Sequence, residues 1–415
     1  MNRILALFLL TVVIFIDSMA QANNNEVIAS FTIDPGSHIQ PGFTLAEAQI
    51  EGIAQFPLSN LVLYRIYREQ ETTVPFQLSV EQKDVIFWMA QGSADTKIKY
   101  ELRKKEKSGS PGGIKLKKSD QTIDFTRDSK TILTYHVAEV FPPEGFDEAF
   151  KRSGFIHPLY APDGTVLTEI QPMDHLHHYG IWNPWTRTTF RGEIVDFWNL
   201  RKMEGTVKHA GFLRTTQGPV YSEIKVIHEH IAWPESTRQT LAITEWQTIR
   251  VYDTPDGFYM IDFDILLKPE EDIILEEFRY GGFVFRGTEA WHRETSDFIT
   301  SEGLDRDHAD GQRARWCIVH GESISGSAGI LLMGHPENYN HPEPVRVWPS
   351  DGNNGRGDVF INFSPTRNTS WPLEAGGSYR LQYRLVVFNG ELPIEMAESI
   401  WQSWSNPPQF NLGVD

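Results

Sequence analysis

Arg380, Gln382 and Arg384 alternate with Leu381, Tyr383 and Leu385. A period of two gives a strand one wet face and one dry face. Related strand signals recur at 61–67, 74–80, 85–90 and 97–102, and again at 131–138, 224–233, 240–252, 258–267, 282–285, 314–320, 328–333, 358–363 and 379–388. Gly, Pro, Asn and Asp punctuate them as turn residues, and helical periodicity is scarce, with its best candidate at 395–403. Many short strands without intervening helices predict an all-β protein, a large antiparallel β-sandwich rather than alternating βα units. No fixed internal repeat is visible, which disfavours a propeller.

The strand signals fall into two groups. Between them, 103–118 carries seven Lys or Arg against one Glu and includes Ser108, Gly109, Ser110, Pro111, Gly112 and Gly113. Such a stretch repels itself and cannot bury, so it reads as a linker or long hairpin tip. The expected organisation is a small β-sandwich module over 23–110 and a large β-sandwich over 111–415. Ahead of both, Met1, Asn2 and Arg3 precede an almost unbroken apolar run from Ile4 to Ile16, followed by Ala20, Gln21 and Ala22. This is the layout of a secretory signal peptide over 1–22, too short to span a bilayer. The expectation is an exported protein, periplasmic or secreted, with no stable membrane insertion.

Composition narrows the chemistry. Against 38 basic side chains stand 55 acidic ones, a formal charge of −17, which repels phosphate backbones and excludes nucleic acid as a partner. Cys317 is the only cysteine, so neither an intramolecular disulfide nor a thiolate zinc cage can form. It sits in the apolar run Trp316, Cys317, Ile318, Val319 and reads as a buried, inert thiol. Phosphate-cradling glycine loops, dinucleotide fingerprints, nucleophile-elbow serines and HExxH helices are absent.

Three polar clusters remain. Asp174, His175, His177 and His178 hold three of the 14 histidines within four positions. In an extended segment His175 and His177 share a face and His178 opposes them, so other segments must complete any site. Imidazoles here suit acid–base work or a metal; loop hydrogen bonding is the plain alternative. His335, Pro336, Glu337, Asn338, Tyr339, Asn340, His341 and Pro342 follow an apolar strand, a common way to present functional groups. Arg313 and Arg315, with Glu302 nearby, form a guanidinium pair for a carboxylate or sulfate, or for structural carboxylates. Trp182, Trp185, Trp198, Trp291 and Trp348 lie near these clusters and offer sugar-stacking planes, although most tryptophans are core.

Read together, several segments resemble a known family. The stretch His157, Pro158, Leu159, Tyr160, Ala161, Pro162, Asp163, Gly164, then Asp174 to Trp182, then Asp196, Phe197 and Trp198, is similar to the PmoA-like family of exported bacterial proteins of unknown function. Tyr280, Gly281 and Gly282, Glu302 with Gly303, Arg313 to Trp316, and His335, Pro336, Asn338, His341 and Pro342 continue the likeness in order. Tyr179 stands where that family usually has arginine. The family's label refers to methane oxygenase, whose subunit of that name crosses membranes several times, which this chain cannot do. The resemblance implies a sandwich of the galactose-mutarotase or polysaccharide-lyase kind and a saccharide substrate.

The expected function is that of an exported carbohydrate-active enzyme, a lyase or dehydratase acting on uronic-acid-containing oligosaccharides in polysaccharide degradation. Elimination beside a carboxylate needs a base, a carboxylate clamp and an acid at the leaving oxygen. The expected assignments are His175 or His178 as base, Tyr280 or His335 as acid and Arg313 with Arg315 as clamp. Glu302, Trp182 and His341 are further substrate contacts. No cofactor is required in this reading, and the partner is an acidic oligosaccharide. Two alternatives stand beside it: a non-catalytic saccharide-binding protein, and a metal-dependent oxidase or epimerase using His175, His177 and His335. A glycosidase would need paired carboxylates, for which Glu245, Glu302 and Asp196 are available.

Overall fold

The computed structural model describes residues 26–33, 43–90, 98–105, 112–254 and 257–407. The leader-like segment 1–22 and residues 106–111 lie outside them. The chain is all-β, with large antiparallel sheets.

Two eight-stranded antiparallel sheets form the body. The front sheet runs, in spatial order, Val345–Val347, Phe360–Phe363, Phe283–Arg286, Ile181–Trp182, Phe155–Leu159, Lys130–His136, Thr122–Arg127 and Lys115–Lys118. The back sheet runs Gly205–Thr216, Tyr221–Ala232, Thr240–Tyr252, Phe258–Pro269, Tyr379–Asn389, Gly326–Gly334, Trp316–Ser323 and Ser296–Thr300. Facing side chains interlock between them: Ile181, Phe283, Phe285, Ile361 and Phe363 from the front meet Phe263, Cys317, Val319, Ile330, Leu332 and Tyr383 from the back. Cys317 is fully buried there, and burial pushes its thiol pKa up, away from reactivity.

Residues alternating with these point outward, and many are apolar too. On the front they are Phe155, Trp182, Val284 and Phe360, joined by Trp198 and Leu200 from a loop. On the back they are Trp316, Ile318, Leu331, Met333, Val386 and Phe388, covered by Ala397, Ile400 and Trp401 of the helix Ile394–Ser405 and by Phe43, Val85, Phe87 and Met89 of the N-terminal segment. That segment has its own core, in which Phe31, Leu63, Ile86, Trp88, Tyr100 and Leu102 pack between a four-stranded and a three-stranded sheet. Part of the basic stretch expected to be a linker is instead strand. Lys115, Lys117 and Lys118 sit on the last strand of the front sheet, where charged side chains keep an open edge from pairing with another chain.

Inside the sandwich lies a polar network. Glu245 is fully buried, and its carboxylate accepts from His228 Nδ1, His230 Nε2 and Asn183 Nδ2, each at 3.0 Å. Burial alone would raise its pKa, but the two imidazole hydrogen bonds win and hold it well below the usual range. The Tyr135 hydroxyl links His228 Nε2 to His209 Nδ1, both at 2.8 Å, so the chain of polar groups reaches from the core to a half-buried edge residue. Asn183 belongs to the front layer and Glu245 to the back, so the carboxylate fastens the layers at one point. Glu245 cannot serve as a glycosidase carboxylate, because the core encloses it.

Two outcomes follow. Glu245→Ala leaves two imidazoles and an amide buried without their acceptor and should cost about 3–5 kcal/mol in urea unfolding, with Glu245→Gln costing less. An alanine variant as stable as the parent would show the network to be dispensable. Burial also holds His157 and His209 at a pKa of about 4 and lowers His136 and His230. Folded-state values below the unfolded value of about 6.5 mean that the folded chain resists protonation, so the melting temperature should fall as pH drops from about 6.5 through 4. A flat melting profile over that window would contradict it.

Candidate functional site

The imidazole cluster caps the outer face of the front sheet. Its turn is closed by backbone hydrogen bonds from His175 N to Pro172 O and from His178 N to His175 O. Gly180 then returns the chain to the sheet at φ +58°, where a Cβ would stand 2.3 Å from the Ile156 carbonyl oxygen, so only glycine fits. Beyond it Ile181 faces the core and Trp182 faces out, beneath the His178 ring at 5.5 Å.

A cavity of about 230 Å³ opens here, lined by His175, His177, His178, Trp198, Asn199, Arg279, Tyr280, Arg346, Trp348 and Phe360. Its aromatic wall is continuous: Trp348 stacks on Phe360 at 5.0 Å, and Trp198 meets Tyr280 at 4.8 Å. Asp174 Oδ1 lies 3.3 Å from His175 Nδ1. His178 is 3% exposed, and its buried Nδ1 has no hydrogen-bond partner among the described residues. Burial, reinforced by the neighbouring imidazoles, pushes His177 down to about 4 and His178 well below the usual value, so both are neutral bases at pH 7.

Tyr280 is held for donation. Asp196 accepts from Trp198 N, Asn199 N and Asn199 Nδ2 at 2.7–2.9 Å, and Asn199 Nδ2 also donates to the Tyr280 oxygen at 3.2 Å. A phenol that accepts from an amide has its own proton left to give. Asp196 is thereby committed to the loop and is not a free carboxylate.

Two guanidiniums line the cavity. Arg346 alternates with the inward Val345 and Val347 and so points out; its Nη1 donates to Asp310 at 2.8 Å. Asp310 also takes both terminal nitrogens of Arg367 at 3.0 Å, so one carboxylate serves two cations. Arg279 lies over the Tyr280 ring at 5.5 Å and has no carboxylate partner among the described residues. These guanidiniums have one bonded carboxylate between them, while Asp174 and Asp196 stand beside the imidazoles.

Of the expected site residues, His175, His178 and Tyr280 therefore share one pocket. The rest are elsewhere. Trp182 is 1% exposed and lies under His178, out of a ligand's reach, and Trp185 and Trp291 are core. Arg315, expected to face the imidazoles, bonds Glu398 of the C-terminal helix at 2.6 Å, lies 3.7 Å from Glu302 and covers Trp401 at 4.9 Å. Arg313 donates to the Asn340 and Pro342 carbonyl oxygens. His335 packs on Trp404 and His341 on Trp401. The reason is the alternation around Trp316: that side chain faces out of the back sheet, so its surroundings lie across the core from the imidazoles. The separation also dissolves the expected trio of His175, His177 and His335. No group of three His, Cys, Asp or Glu among the described residues is arranged to hold a metal ion.

Tyr179 turns away from the cavity. It is fully buried, accepts from Gln171 Nε2 at 3.0 Å and donates to the Phe150 carbonyl oxygen. Arg279, Arg346 and Asn199 were not singled out by sequence reasoning. Arg279 directly precedes the Tyr-Gly-Gly motif, Asn199 directly follows Asp196-Phe197-Trp198, and Arg346 is the charged member of an alternating strand. A larger apolar groove of about 810 Å³ lies between the N-terminal module and the loop 216–219, with Lys105 its only ionisable side chain among the described residues.

Among solved structures, a galactose mutarotase related enzyme from Lactobacillus acidophilus aligns with 67% of this chain and 100% of its own, at 8% identity and a TM-score of 0.32. A galactose 1-epimerase from Lactobacillus acidophilus aligns with 68% of this chain and 100% of its own, at 8% identity and a TM-score of 0.33. A heparan sulfate lyase from Pedobacter heparinus aligns with 69% of this chain and 38% of its own, at 7% identity and a TM-score of 0.33. No curated protein matches the sequence. No helix among the described residues is long and apolar enough to cross a membrane. A family model covers residues 122–402, which include the cavity and most of the sandwich, and by that match the chain belongs to DUF6807, a family of unknown function.

Proposed function

We propose that the front pocket is the active site of a carbon–oxygen lyase acting on an acidic saccharide, in a chain exported through its leader-like first 22 residues. The observation that carries the reading is the pair of guanidiniums lining an aromatic-walled, imidazole-capped cavity: Arg279 with no carboxylate partner among the described residues, and Arg346 sharing Asp310 with Arg367. A sugar carboxylate supplies the partner that Arg279 lacks, and the aromatic wall takes the apolar face of its ring.

In this mechanism Arg279 and Arg346 hold the carboxylate and stabilise the charge that develops on it as the adjacent C–H bond breaks. His175 or His178 removes that proton. The electron pair forms the new carbon–carbon double bond as the C–O bond to the leaving group breaks, and Tyr280 protonates the departing oxygen. The base gains one proton, the acid loses one, and no oxidant enters. Arg279 and Arg346 take the clamp role first assigned to Arg313 and Arg315.

The test is turnover on a panel of uronate-containing oligosaccharides, read as ultraviolet absorbance of an unsaturated uronate. Tyr280→Phe and His178→Ala should each lower kcat about 10²–10⁴-fold with the fold intact by circular dichroism. Arg346→Ala should lower kcat/KM about 10–1000-fold and erase the preference for acidic over neutral substrates. Arg313→Ala, whose guanidinium is spent on the Asn340 and Pro342 carbonyl oxygens, should leave turnover unchanged. Binding without new absorbance throughout the panel would instead make the protein a saccharide-binding module.

A further inference from the structure

The back sheet's outer face is covered where it is apolar and open where it is charged. Register organises the charged part. Glu223, Arg250, Asp262 and Arg384 are successive partners across four strands, so the row alternates in sign. Arg250 Nε donates to Glu223 at 2.7 Å, Arg214 Nη2 donates to the same carboxylate at 2.8 Å, and Arg384 grips Asp262 through two nitrogens at 2.6 and 2.7 Å. Glu223 is 1% exposed and Arg384 4%. Each carboxylate in this row has its guanidinium.

The next row along the strands reads Lys225, Thr248, Asp264 and Gln382, and it faces a cavity of about 200 Å³. Here the bonding is incomplete. Gln382 bonds Asn338 through backbone atoms only, which leaves its side-chain amide unused. The Thr248 hydroxyl has no partner among the described residues, and Arg214 Nε is buried without one. Lys225 stands 4.0 Å from its carboxylate, Glu81 of the N-terminal module. Trp404 of the C-terminal helix adds an indole to the lining.

Charge separates this cavity from the front pocket. Among the lining side chains Arg214, Lys225, Arg250 and Arg380 stand against Glu81, Glu223, Asp262 and Asp264, four against four, with Arg384 behind the lining bonded to Asp262, so the wall carries little net charge to draw in an anion. What remains is the Thr248 hydroxyl and the Gln382 amide, unused among the described residues, beside Trp404, whose ring Arg384 covers on one side at 5.1 Å, and this suits a ligand rich in hydroxyls with an apolar ring face. We propose that this cavity is a second saccharide site, separate from the imidazole pocket and selective for uncharged sugar residues. The charge balance and the unused hydrogen-bonding groups carry it without reference to catalysis.

Calorimetric titration of the full chain with cellohexaose, xylohexaose and mannohexaose tests it, with polygalacturonate fragments as the charged comparison. At least one neutral hexaose should bind, with an affinity that stays level between low and high salt. Thr248→Val and Gln382→Ala should each weaken it about fivefold to tenfold, and Trp404→Ala by tenfold or more. Thr248→Val keeps the side-chain volume and guards against a mere folding defect, with near-ultraviolet circular dichroism checking all three. His178→Ala should leave neutral-hexaose affinity unchanged. The proposal is overturned if no neutral hexaose binds, if Thr248→Val and Gln382→Ala bind as the parent does, or if His178→Ala removes the binding.

Discussion

A strand in a two-layer sandwich shows one face to the core and the other outward, and here the outward faces are too apolar to stand in water. Trp182, Val284 and Phe360 on the front, and Trp316, Leu331, Met333 and Val386 on the back, all demand cover. Burying a single side chain of this size contributes about 1.5–3 kcal/mol, so several together can hold long loops and a helix in place. On the front the cover is loop: the imidazole turn, the Asp196–Leu200 segment and Trp348. On the back it is the helix Ile394–Ser405 and the N-terminal module. Both cavities are gaps in these covers, and their chemistry is that of the residues that do the covering.

The two gaps differ in how their charges balance. At the front, guanidiniums outnumber the carboxylates that reach them, and three imidazoles lie in a setting that keeps at least two neutral. At the back, the lining cations and carboxylates are equal in number, and a hydroxyl and an amide are left over. Coulomb energy selects at the first, and hydrogen-bond geometry selects at the second.

Much of the architecture was readable because it rests on period two. The strands at 224–233, 240–252, 258–267 and 379–388 alternate cleanly and appear close to where they were expected. Gly205–Thr216 escaped notice for a physical reason: its pairing shifts register between His209 and Gly211 and again between Phe212 and Arg214, so its pattern is broken twice. Phe155–Leu159 was hidden by Pro158, which weakens a strand signal. The site was legible only in part. Clustered histidines and the Tyr-Gly-Gly motif stand out in any reading, whereas a lone Arg346 between two valines does not. The mistaken partner, the Arg313 and Arg315 pair, failed on facing. Sequence proximity to Trp316 was visible; that Trp316 turns away from the front layer depends on which alternate residues fill the core, and both sets are apolar.

The shortest strand of the front sheet, Ile181–Trp182, is a party wall. One residue belongs to the core and its neighbour to the floor beneath the imidazoles, and Gly180 admits no side chain on the approach. A single inserted residue at that point would swap the two tenants, turning the indole into the interior and the isoleucine toward the ligand. The masonry under His178 therefore has no room to drift.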